Sequence, residues 1–250
     1  MLKKRGIRQP FSTGEYDKSN DEEQWIRITQ GCPHGCPFCY EPKEMVVFPT
    51  PKIVRNEVKI MDMNLLSHPE AIRIIKELGI QRVNGKVISY QLICGIDYRF
   101  LTSEIAEELK KARFSNLRIA WDWYYQDQFK IKKAIEKLKK VGYQSKDIQI
   151  FMICNWEIPF SECIKKLNLC KYWRVQVADC YFDGQVSPKI ESIGWRVEEI
   201  KTFRHEVRKH NQLVNFLVDP ELAKYANQLS LLKCPTQFKK LKGEENGILP

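Results

Sequence analysis

Runs of apolar, β-branched and aromatic residues alternate with amphipathic helical patterns through most of this 250-residue chain. Six runs predict β-strands, over residues 25–29, 58–63, 86–93, 116–121, 148–154 and 173–178. Helical periodicity predicts five helices, and a last strand follows them; the helices cover 69–78, 103–113, 127–141, 160–169 and 197–210, and the strand covers 213–218. Six strand–helix units in succession predict a parallel sheet, because each right-handed crossover returns the chain to the same edge.

Local signals also predict where some of the helices begin and end. Ser67 and Glu70 have the spacing of a capping box ahead of the first helix. Gly79 is predicted to end that helix and Gly142 to end the third, because glycine readily adopts the left-handed conformation found at helix C-termini.

The number of strands bears on the type of fold. Six or seven strands are fewer than the eight of a closed TIM barrel. The expected fold is therefore α/β, a partial (β/α)6 TIM-barrel-like parallel sheet with outer helices. No Gly/Ser linker or low-complexity block interrupts the alternation, so residues 23–220 are expected to form one core. A basic and polar N-terminal extension, 1–22, and a C-terminal extension, 221–250, are expected to flank this core.

Basic residues exceed acidic residues by 41 to 31, which gives the chain a net charge of +10. Such an excess favours an anionic partner, such as nucleic acid or a phosphorylated substrate. The alternative is that lysines simply cover the exposed faces of helices. The lysines of the third predicted helix support that alternative, because most of them fall opposite its apolar stripe.

The first 25 residues contain basic clusters but no apolar core after them, so they do not resemble a signal peptide. No stretch approaches the roughly 20 apolar residues of a membrane span. We therefore expect a cytoplasmic protein that does not contact a membrane. Cytosolic thiols stay reduced, so the nine cysteines indicate metal binding or catalysis rather than a disulfide framework.

Three cysteines, Cys32, Cys36 and Cys39, follow the first predicted strand directly, in the segment ITQGCPHGCPFCYEP (28–42). Ligands in α/β folds of this kind bind at the carboxyl ends of the strands, so this loop lies at the expected binding edge. The glycines and prolines between the cysteines favour a tight curl that turns three thiolates toward one centre. Three thiolates can hold a cuboidal iron–sulfur cluster and leave one iron without a protein ligand.

Two other uses of these cysteines are open. A zinc site could combine the three thiolates with His34, although the residues on either side of His34 leave it little freedom to join a tetrahedron with its neighbours. A redox dithiol could use CPFC, 36–39, which has thioredoxin-type spacing. That second alternative leaves Cys32 unexplained.

The spacing CxxxCxxC at the end of a first strand, with an aromatic residue before the last cysteine, resembles the radical S-adenosylmethionine superfamily. Here the motif is CPHGCPFC, 32–39, with Phe38 as the aromatic residue, and the alternation over about 25–178 resembles the superfamily's (β/α)6 core. The resemblance implies a 4Fe-4S cluster on Cys32, Cys36 and Cys39, with S-adenosylmethionine chelating the open iron. It implies an oxygen-sensitive enzyme in which reductive cleavage of this cofactor gives a 5′-deoxyadenosyl radical that removes hydrogen from a substrate. A low-potential electron donor of the flavodoxin or ferredoxin type is the implied partner.

Polar or aromatic residues in the loop and at the ends of predicted strands are the candidates for contacting S-adenosylmethionine. The superfamily's Gly-Gly-Glu after the second strand is missing, so Asp62 or Asn64 would have to replace it, unless these two only form a turn. Asp97 and Arg99 could bind ribose, carboxylate or an anionic substrate, or only each other. Asp122 lies between two tryptophans, which suits either a polar contact in an aromatic cleft or core filling. The candidate set is Phe38, Tyr40, Asp62, Asn64, Asp97, Arg99, Asp122 and Asn155.

The substrate is not identified by any motif. The positive charge favours nucleic acid, and modification or activation of a peptide or acidic protein is the alternative within the same chemistry. An alternative of another class is a non-catalytic metal-binding or electron-transfer module. Cys154 and Cys180 lie near strand ends and could donate a hydrogen atom to a product radical, although buried cysteine is also a common apolar filler.

Overall fold

The structure is a computed structural model that describes residues 19–36, 39, 41–122, 125–154, 157–181 and 195–216. Three candidate residues, Phe38, Tyr40 and Asn155, lie outside the described residues, as do the extension 221–250 and most of the extension 1–22. The described strands and helices all fall between Glu23 and Phe216. The division into a core and two extensions stays a prediction.

The described part of the chain contains short strands and longer helices in alternation. The strands are β1 (Glu23–Ile26), β2 (Thr29–Gln30), β3 (Val46–Val47), β4 (Glu57–Ile60), β5 (Arg82–Val83), β6 (Lys86–Val87), β7 (Ser89–Leu92), β8 (Leu117–Ala120), β9 (Ile148–Cys154) and β10 (Gln176–Tyr181). The helices are α1 (Ala71–Ile80), α2 (Ser103–Lys111), α3 (Gln128–Lys140), α4 (Phe160–Trp173) and α5 (Val197–Phe216). None of these described helices is both long enough and apolar enough to cross a membrane.

Two three-stranded parallel sheets form the centre of the structure. The first has the order β1-β4-β7 and the second has the order β8-β9-β10. Two isolated parallel bridges, Tyr90–Phe114 and Ile96–Ile119, connect the sheets on either side of the gap between β7 and β8. The predicted α/β class with parallel strands is therefore confirmed. Among the strands that the structure describes, none pairs β10 with β1, so a closed barrel is not formed there.

Five of the six parallel strands are followed by a helix, so the prediction of six strand–helix units is wrong for the first. Between β1 and β4 the described residues contain no helix and only the antiparallel pair β2–β3. The physical reason is the composition of this connection. Its glycines and prolines favour loops over helices, which leaves the connection free to form the cysteine loop.

Several predicted boundaries are also wrong. The run 86–93 is divided, because Asn84 and Gly85 adopt positive φ angles of 51° and 74° and turn β5 back onto β6. An Asn-Gly pair is a strong hairpin signal that the apolar run concealed. The sixth strand begins at Gln176 rather than at residue 173, because α4 continues to Trp173. Residues 213–216 belong to α5 and not to a last strand, and 217–218 lie outside the described residues.

The capping box predicted ahead of α1 is not formed. Glu70 is the N-cap without a side-chain hydrogen bond, and the Ser67 hydroxyl donates to the carbonyl of Asn64 instead. Gly79 does not end α1, which continues to Ile80. A Cβ at Gly79 would lie 3.1 Å from the Cβ of Ala112, so this glycine permits a close approach to the C-terminal end of α2. By contrast, Gly142 follows the end of α3 with φ of +93°, as predicted.

The outer edge of β10 is covered by side chains of α5. Asn211 uses its amide as a backbone would, accepting from the N–H of Val177 at 2.8 Å and donating to the Val177 carbonyl at 2.7 Å. His210 is 4% exposed, and its Nε2 lies 2.6 Å from the Val175 carbonyl. Burial lowers the pKa of His210, and this outweighs the opposing effect of that hydrogen bond. The helix therefore covers the outer edge of the second sheet at β10.

His210 should make the free energy of unfolding depend on pH. The pKa of His210 is lower in the folded protein than its unfolded value of about 6.5. Neutral His210 therefore does not destabilise the folded protein above that pH, and the free energy of unfolding falls as the pH is lowered from there toward the folded pKa. His210→Gln keeps an N–H donor for Val175 but cannot be protonated in this range. When the pH is lowered from about 7.5 to about 5.5, we expect its free energy of unfolding to fall by about 1 kcal/mol less than that of the parent. Urea unfolding at both pH values measures this. His205→Gln, at an exposed position of the same helix, should keep the parent's pH dependence; equal slopes for His210→Gln and the parent would contradict the prediction.

Candidate functional site

The cysteine loop is closed at its base by Glu41. One oxygen of this buried carboxylate, Oε1, accepts from Nη2 of Arg27 at 2.5 Å and from the backbone N–H of Gly31 at 2.7 Å. The N–H of Cys32 donates to the carbonyl of Pro42 at 2.9 Å. Gly31 has φ of +104°, and a Cβ there would lie 2.1 Å from the Glu44 carbonyl oxygen, so the closure requires glycine. The two ends of the loop are thus tied together beside the end of β1.

The three loop cysteines are free thiols, with Cys32 buried and Cys36 and Cys39 partly exposed. Burial raises the pKa of Cys36, and the nearby thiols of Cys39 and Cys32 raise it further. Burial also raises the pKa of Cys39, although the backbone N–H of Glu41, 3.4 Å from its sulfur, acts in the opposite direction. The described residues contain no group of three His, Cys, Asp or Glu side chains already placed as metal ligands. The three thiols are therefore close enough to interact electrostatically, but they are not arranged as a set of metal ligands.

Asp62 fixes the entry to the loop. Its side chain is completely buried, and its two oxygens accept from the N–H groups of Ile28 and Thr29, each at 2.8 Å, and from the Thr29 hydroxyl at 2.7 Å. Burial raises the pKa of Asp62 to about 6, and these three donors oppose the shift. Asp62 therefore supports the residues that precede the cysteine loop, and a role for it in cofactor binding stays a prediction.

Asn64 lies between the cysteine loop and the end of β7. Its Nδ2 donates to the sulfur of Cys32 at 3.3 Å and to Oδ2 of Asp97 at 3.4 Å. Because both neighbours are acceptors, the amide must present its nitrogen to them, and its oxygen faces away. Within the described residues Oδ1 is buried and has no hydrogen-bond partner, although Asn64 is only 6% exposed. An unsatisfied buried acceptor is costly unless another group supplies a donor.

The carboxylate of Asp97 lies close to three side chains near the loop, those of Arg99, His34 and Asn64. Its carboxylate accepts from Nε and Nη2 of Arg99 at 2.7 and 2.8 Å, and its Oδ2 also lies 2.8 Å from Nε2 of His34. The distance to His34 is that of an ion pair, but the ring nitrogen lacks hydrogen-bond geometry. Burial alone would raise the pKa of Asp97, yet the hydrogen bonds and charge of Arg99 hold it below its usual value. The predicted alternative of an Asp97–Arg99 pair is therefore present, and it leaves Arg99 41% exposed beside the loop.

Asp122 follows β8, and its charge reaches the thiols of both Cys36 and Cys39. Burial raises the pKa of Asp122 to about 6, against the opposing ammonium of Lys166 and the N–H of Ile153. Lys166, on α4, is 0% exposed, and its Nζ donates to the carbonyl of Trp121 at 3.0 Å. The lysine thus holds the backbone that carries Asp122.

The structure therefore brings together candidates from the ends of four parallel strands. Around the loop that follows β1 lie Asn64 after β4, Asp97 and Arg99 after β7, and Asp122 after β8. Asp62 contacts the base of the loop rather than this group. The remaining candidates, Phe38, Tyr40 and Asn155, lie outside the described residues.

Sequence reasoning missed two supporting residues, Glu41 and Lys166. Lys166 had a detectable signal, because it interrupts an apolar helical face made by Cys163, Leu167 and Cys170. A lysine at such a position is rarely buried without a specific partner. Glu41 had no such signal, because the sequence does not indicate that the loop folds back onto Arg27.

Neither a scan against family models nor a search of curated proteins finds a match to this chain. The functional interpretation therefore rests on the spacing of the cysteines and on the side chains that surround their loop.

Asp62→Asn tests the support of the loop. An amide offers one acceptor oxygen where the carboxylate offers two, so its NH2 group would face a backbone N–H or the Thr29 hydroxyl. We expect the free energy of unfolding to fall by about 1.5–3 kcal/mol, measured by urea unfolding at neutral pH. Asp21→Asn removes an exposed carboxylate whose contact with Arg55 is 3.8 Å, and should change stability by less than about 0.5 kcal/mol. Equal effects of the two substitutions would show that Asp62 does not support the loop.

Proposed function

We propose that this protein is a radical S-adenosylmethionine enzyme that holds a 4Fe-4S cluster on Cys32, Cys36 and Cys39. The observation that carries the proposal is the position of the CxxxCxxC loop beside the strand ends that supply Asn64, Arg99 and Asp122. A ligand at the carboxyl edge of parallel strands is the rule for folds of this class.

The same proposal extends to the architecture. We propose that the two parallel sheets are halves of one partial (β/α)6 barrel, with the order β1-β4-β7-β8-β9-β10. The two parallel bridges between the sheets support this, together with backbone hydrogen bonds that Ile96 makes on both sides, to Arg118 and Ala120. A curved surface of this kind would place the four strand ends around a single ligand.

The residues present fit such a group. Three free thiols of one loop supply sulfur ligands, and the orphaned Oδ1 of Asn64 lies on the residue that donates to Cys32. With one iron not bound by protein, a reduced 4Fe-4S cluster would supply the electron that cleaves bound S-adenosylmethionine to a 5′-deoxyadenosyl radical.

Each neighbouring side chain then has a separate task. Oδ1 of Asn64 would accept a hydrogen bond from the cofactor's amino group, which would satisfy the buried acceptor. Arg99, held in orientation by Asp97, would bind the cofactor's carboxylate with its partly exposed guanidinium. Asp97 would thus act as a positioning residue, because its own oxygens already accept hydrogen bonds from Arg99 and Asn64.

The substrate and partners are proposals of a coarser kind. A flavodoxin-type or ferredoxin-type protein would reduce the cluster. The net charge of +10 favours a nucleic acid, or otherwise an acidic protein, as the substrate. Three of the lysines, Lys110, Lys137 and Lys139, keep their charge but already donate to the carbonyls of Gly142, Leu101 and Trp173.

Anaerobic reconstitution with iron and sulfide tests the cofactor directly. We expect a brown protein that forms 5′-deoxyadenosine from S-adenosylmethionine and dithionite, detected by mass spectrometry. Cys36→Ala should lose both cluster and product, because two thiolates do not hold the cluster. Cys94→Ala, a partly exposed cysteine outside the loop, should keep both. A colourless protein that binds one zinc, or product formation that survives Cys36→Ala, would overturn the proposal.

Asn64→Ala tests the contact proposed for the amino group. The variant should keep its iron content, since all three thiols remain, but the Kd for S-adenosylmethionine should rise about tenfold or more. Equilibrium binding to the reconstituted protein measures this. Asn56→Ala, which removes an amide that donates to the Val87 carbonyl at the opposite end of β4, is the matched control. An unchanged Kd in Asn64→Ala would remove this residue from the cofactor site.

A further inference from the structure

Each of the two parallel sheets has one face in contact with helices and one face that is partly exposed. In five of the six parallel strands, buried residues alternate with exposed or partly exposed ones. The buried residues belong to the core beneath the helices; the Tyr90 hydroxyl, for example, donates to the Leu78 carbonyl of α1. The other face, which we call the open face, carries Lys59, Gln91, Arg118 and Gln149. A surface with these side chains suits a polar ligand better than a second hydrophobic layer.

Arg118, on β8, is held on the open face by two neighbours. Its Nη1 donates to the carbonyl of Ile93 at 2.9 Å, and its guanidinium carbon lies 5.7 Å from the centroid of the Phe151 ring. Its Nε is buried, and neither Nε nor Nη2 donates a hydrogen bond to any residue that the structure describes. These two nitrogens form one edge of the guanidinium, and such an edge can donate two parallel hydrogen bonds to a carboxylate or a phosphate.

Arg118 differs from the other cations on or beside the open face. Arg27 is paired with Glu41, and Nζ of Lys59 lies 3.5 Å from a carboxylate oxygen of Glu23. Arg118 forms no ion pair with a carboxylate of the described residues. Burying part of a charged group without an opposite charge carries a desolvation penalty. An anion bound to Arg118 would offset that penalty.

Small residues leave space next to Arg118 on the open face. In the next row toward the carboxyl ends of the strands, Ala120 and Ala178 lie in register with Phe151, one on each side of it. Gly95 also has no side chain to fill this region. A Cβ there would lie 3.5 Å from Cδ2 of Phe151 and 3.7 Å from the Cβ of Arg118. The free edge of Arg118 therefore adjoins a part of the sheet where the side chains are short.

Arg118 is also electrostatically connected to the end of the sheet that faces the cysteine loop. Burial raises the pKa of Cys94 and of Cys180 to about 11, and the guanidinium of Arg118 opposes both shifts. Asp122, whose charge reaches the loop thiols, adds to the shift at Cys180. Arg118 precedes Asp122 by four residues, which is about 13 Å along an extended strand. A ligand of that length would reach from Arg118 to the carboxyl ends of the strands.

We propose that Arg118 binds the anionic end group, a carboxylate or a phosphate monoester, of a small ligand on the open face. The Nε–Nη2 edge donates to two oxygens of this group, and the body of the ligand extends over Ala120 and Ala178 toward Asp122. An end group suits the site better than a phosphate within a nucleic-acid chain. A chain-internal phosphate would bring two continuing strands of nucleic acid onto a surface with room in one direction.

This site deepens the proposed function without sharing all of its assumptions. That the ligand is the substrate of the enzyme rests on the proposed radical chemistry. That the open face binds an anion does not, because none of the three loop cysteines takes part. Anion binding is therefore measured on the full-length protein without a cluster, so that its failure and a failure of cluster assembly are separate results.

Titration with inorganic phosphate, followed by 31P NMR, and with labelled acetate, followed by 13C NMR, tests the site. We expect saturable binding of at least one of these anions; the one that binds identifies the end group. Arg118→Gln should raise its Kd about tenfold or more, because the paired charge-assisted hydrogen bonds are lost. Arg82→Gln removes the same charge from an exposed arginine that donates to the carbonyls of Gly79 and Gln81, and should keep the parent's Kd. No saturable binding of either anion, or equal Kd values in the parent and Arg118→Gln, would overturn the proposal.

A second variant and a second ligand sharpen the test. Arg118→Lys keeps a cation and a donor for the Ile93 carbonyl, so it should fold as the parent does, which circular dichroism establishes. Its anion affinity should still fall below that of the parent, because an ammonium does not offer two parallel N–H groups. Parent affinity in folded Arg118→Lys would contradict the paired contact. A single-stranded RNA oligonucleotide whose binding weakens in Arg118→Gln as much as that of phosphate would assign the site to a polymer and overturn the small-ligand proposal.

Discussion

The position of the cysteine loop depends on the carboxylate of Asp62, which accepts from the N–H groups of Ile28 and Thr29, just before the loop. Ile28 and Thr29 lie beyond the end of β1, where strand pairing with β4 no longer satisfies their N–H groups. A single buried anion from the chain after β4 satisfies both. Asp62 thereby sets the direction in which the loop leaves the sheet. Glu41, at the far end of the loop, then accepts from the N–H of Gly31 near its start. These two carboxylates therefore anchor the loop together with the β2–β3 pair and the bond from the Cys32 N–H to the Pro42 carbonyl.

Three of the buried carboxylates around the loop each have a cationic neighbour. Asp97 is matched by Arg99, Glu41 by Arg27, and Asp122 by the more distant Lys166. Burying an isolated charge carries a large desolvation penalty, and attraction to an opposite charge offsets much of it. One buried neutral acceptor near these carboxylates, Oδ1 of Asn64, has no hydrogen-bond donor in the described part of the chain. It is the place where an added ligand would relieve an existing penalty.

How much could be predicted from the sequence differs between the fold and the site. Parallel strands and helices were predictable because apolar periodicity is local and the core follows it, as in α3, where Ile131, Ala134, Ile135 and Leu138 are buried as one face. The division of the run 86–93 into two strands was not predictable, because the hairpin at Asn84 and Gly85 lies next to a strand of the same composition. At the site, Asn64, Asp97 and Asp122 follow strand ends and were found by position. The role of Asp62 depends on partners over thirty residues away, which no local pattern contains.

The amide of Asn211 on the edge of β10 has a consequence for how copies of the protein meet. An uncovered strand edge is a template on which strands of other molecules can add, and repeated addition leads to fibrous aggregates. At Val177 both backbone groups are already bonded to a side chain of the same chain. A foreign strand would have to displace Asn211 before making its first hydrogen bond there. At Val177 a side chain of α5 thus occupies the position that the backbone of a further strand would need.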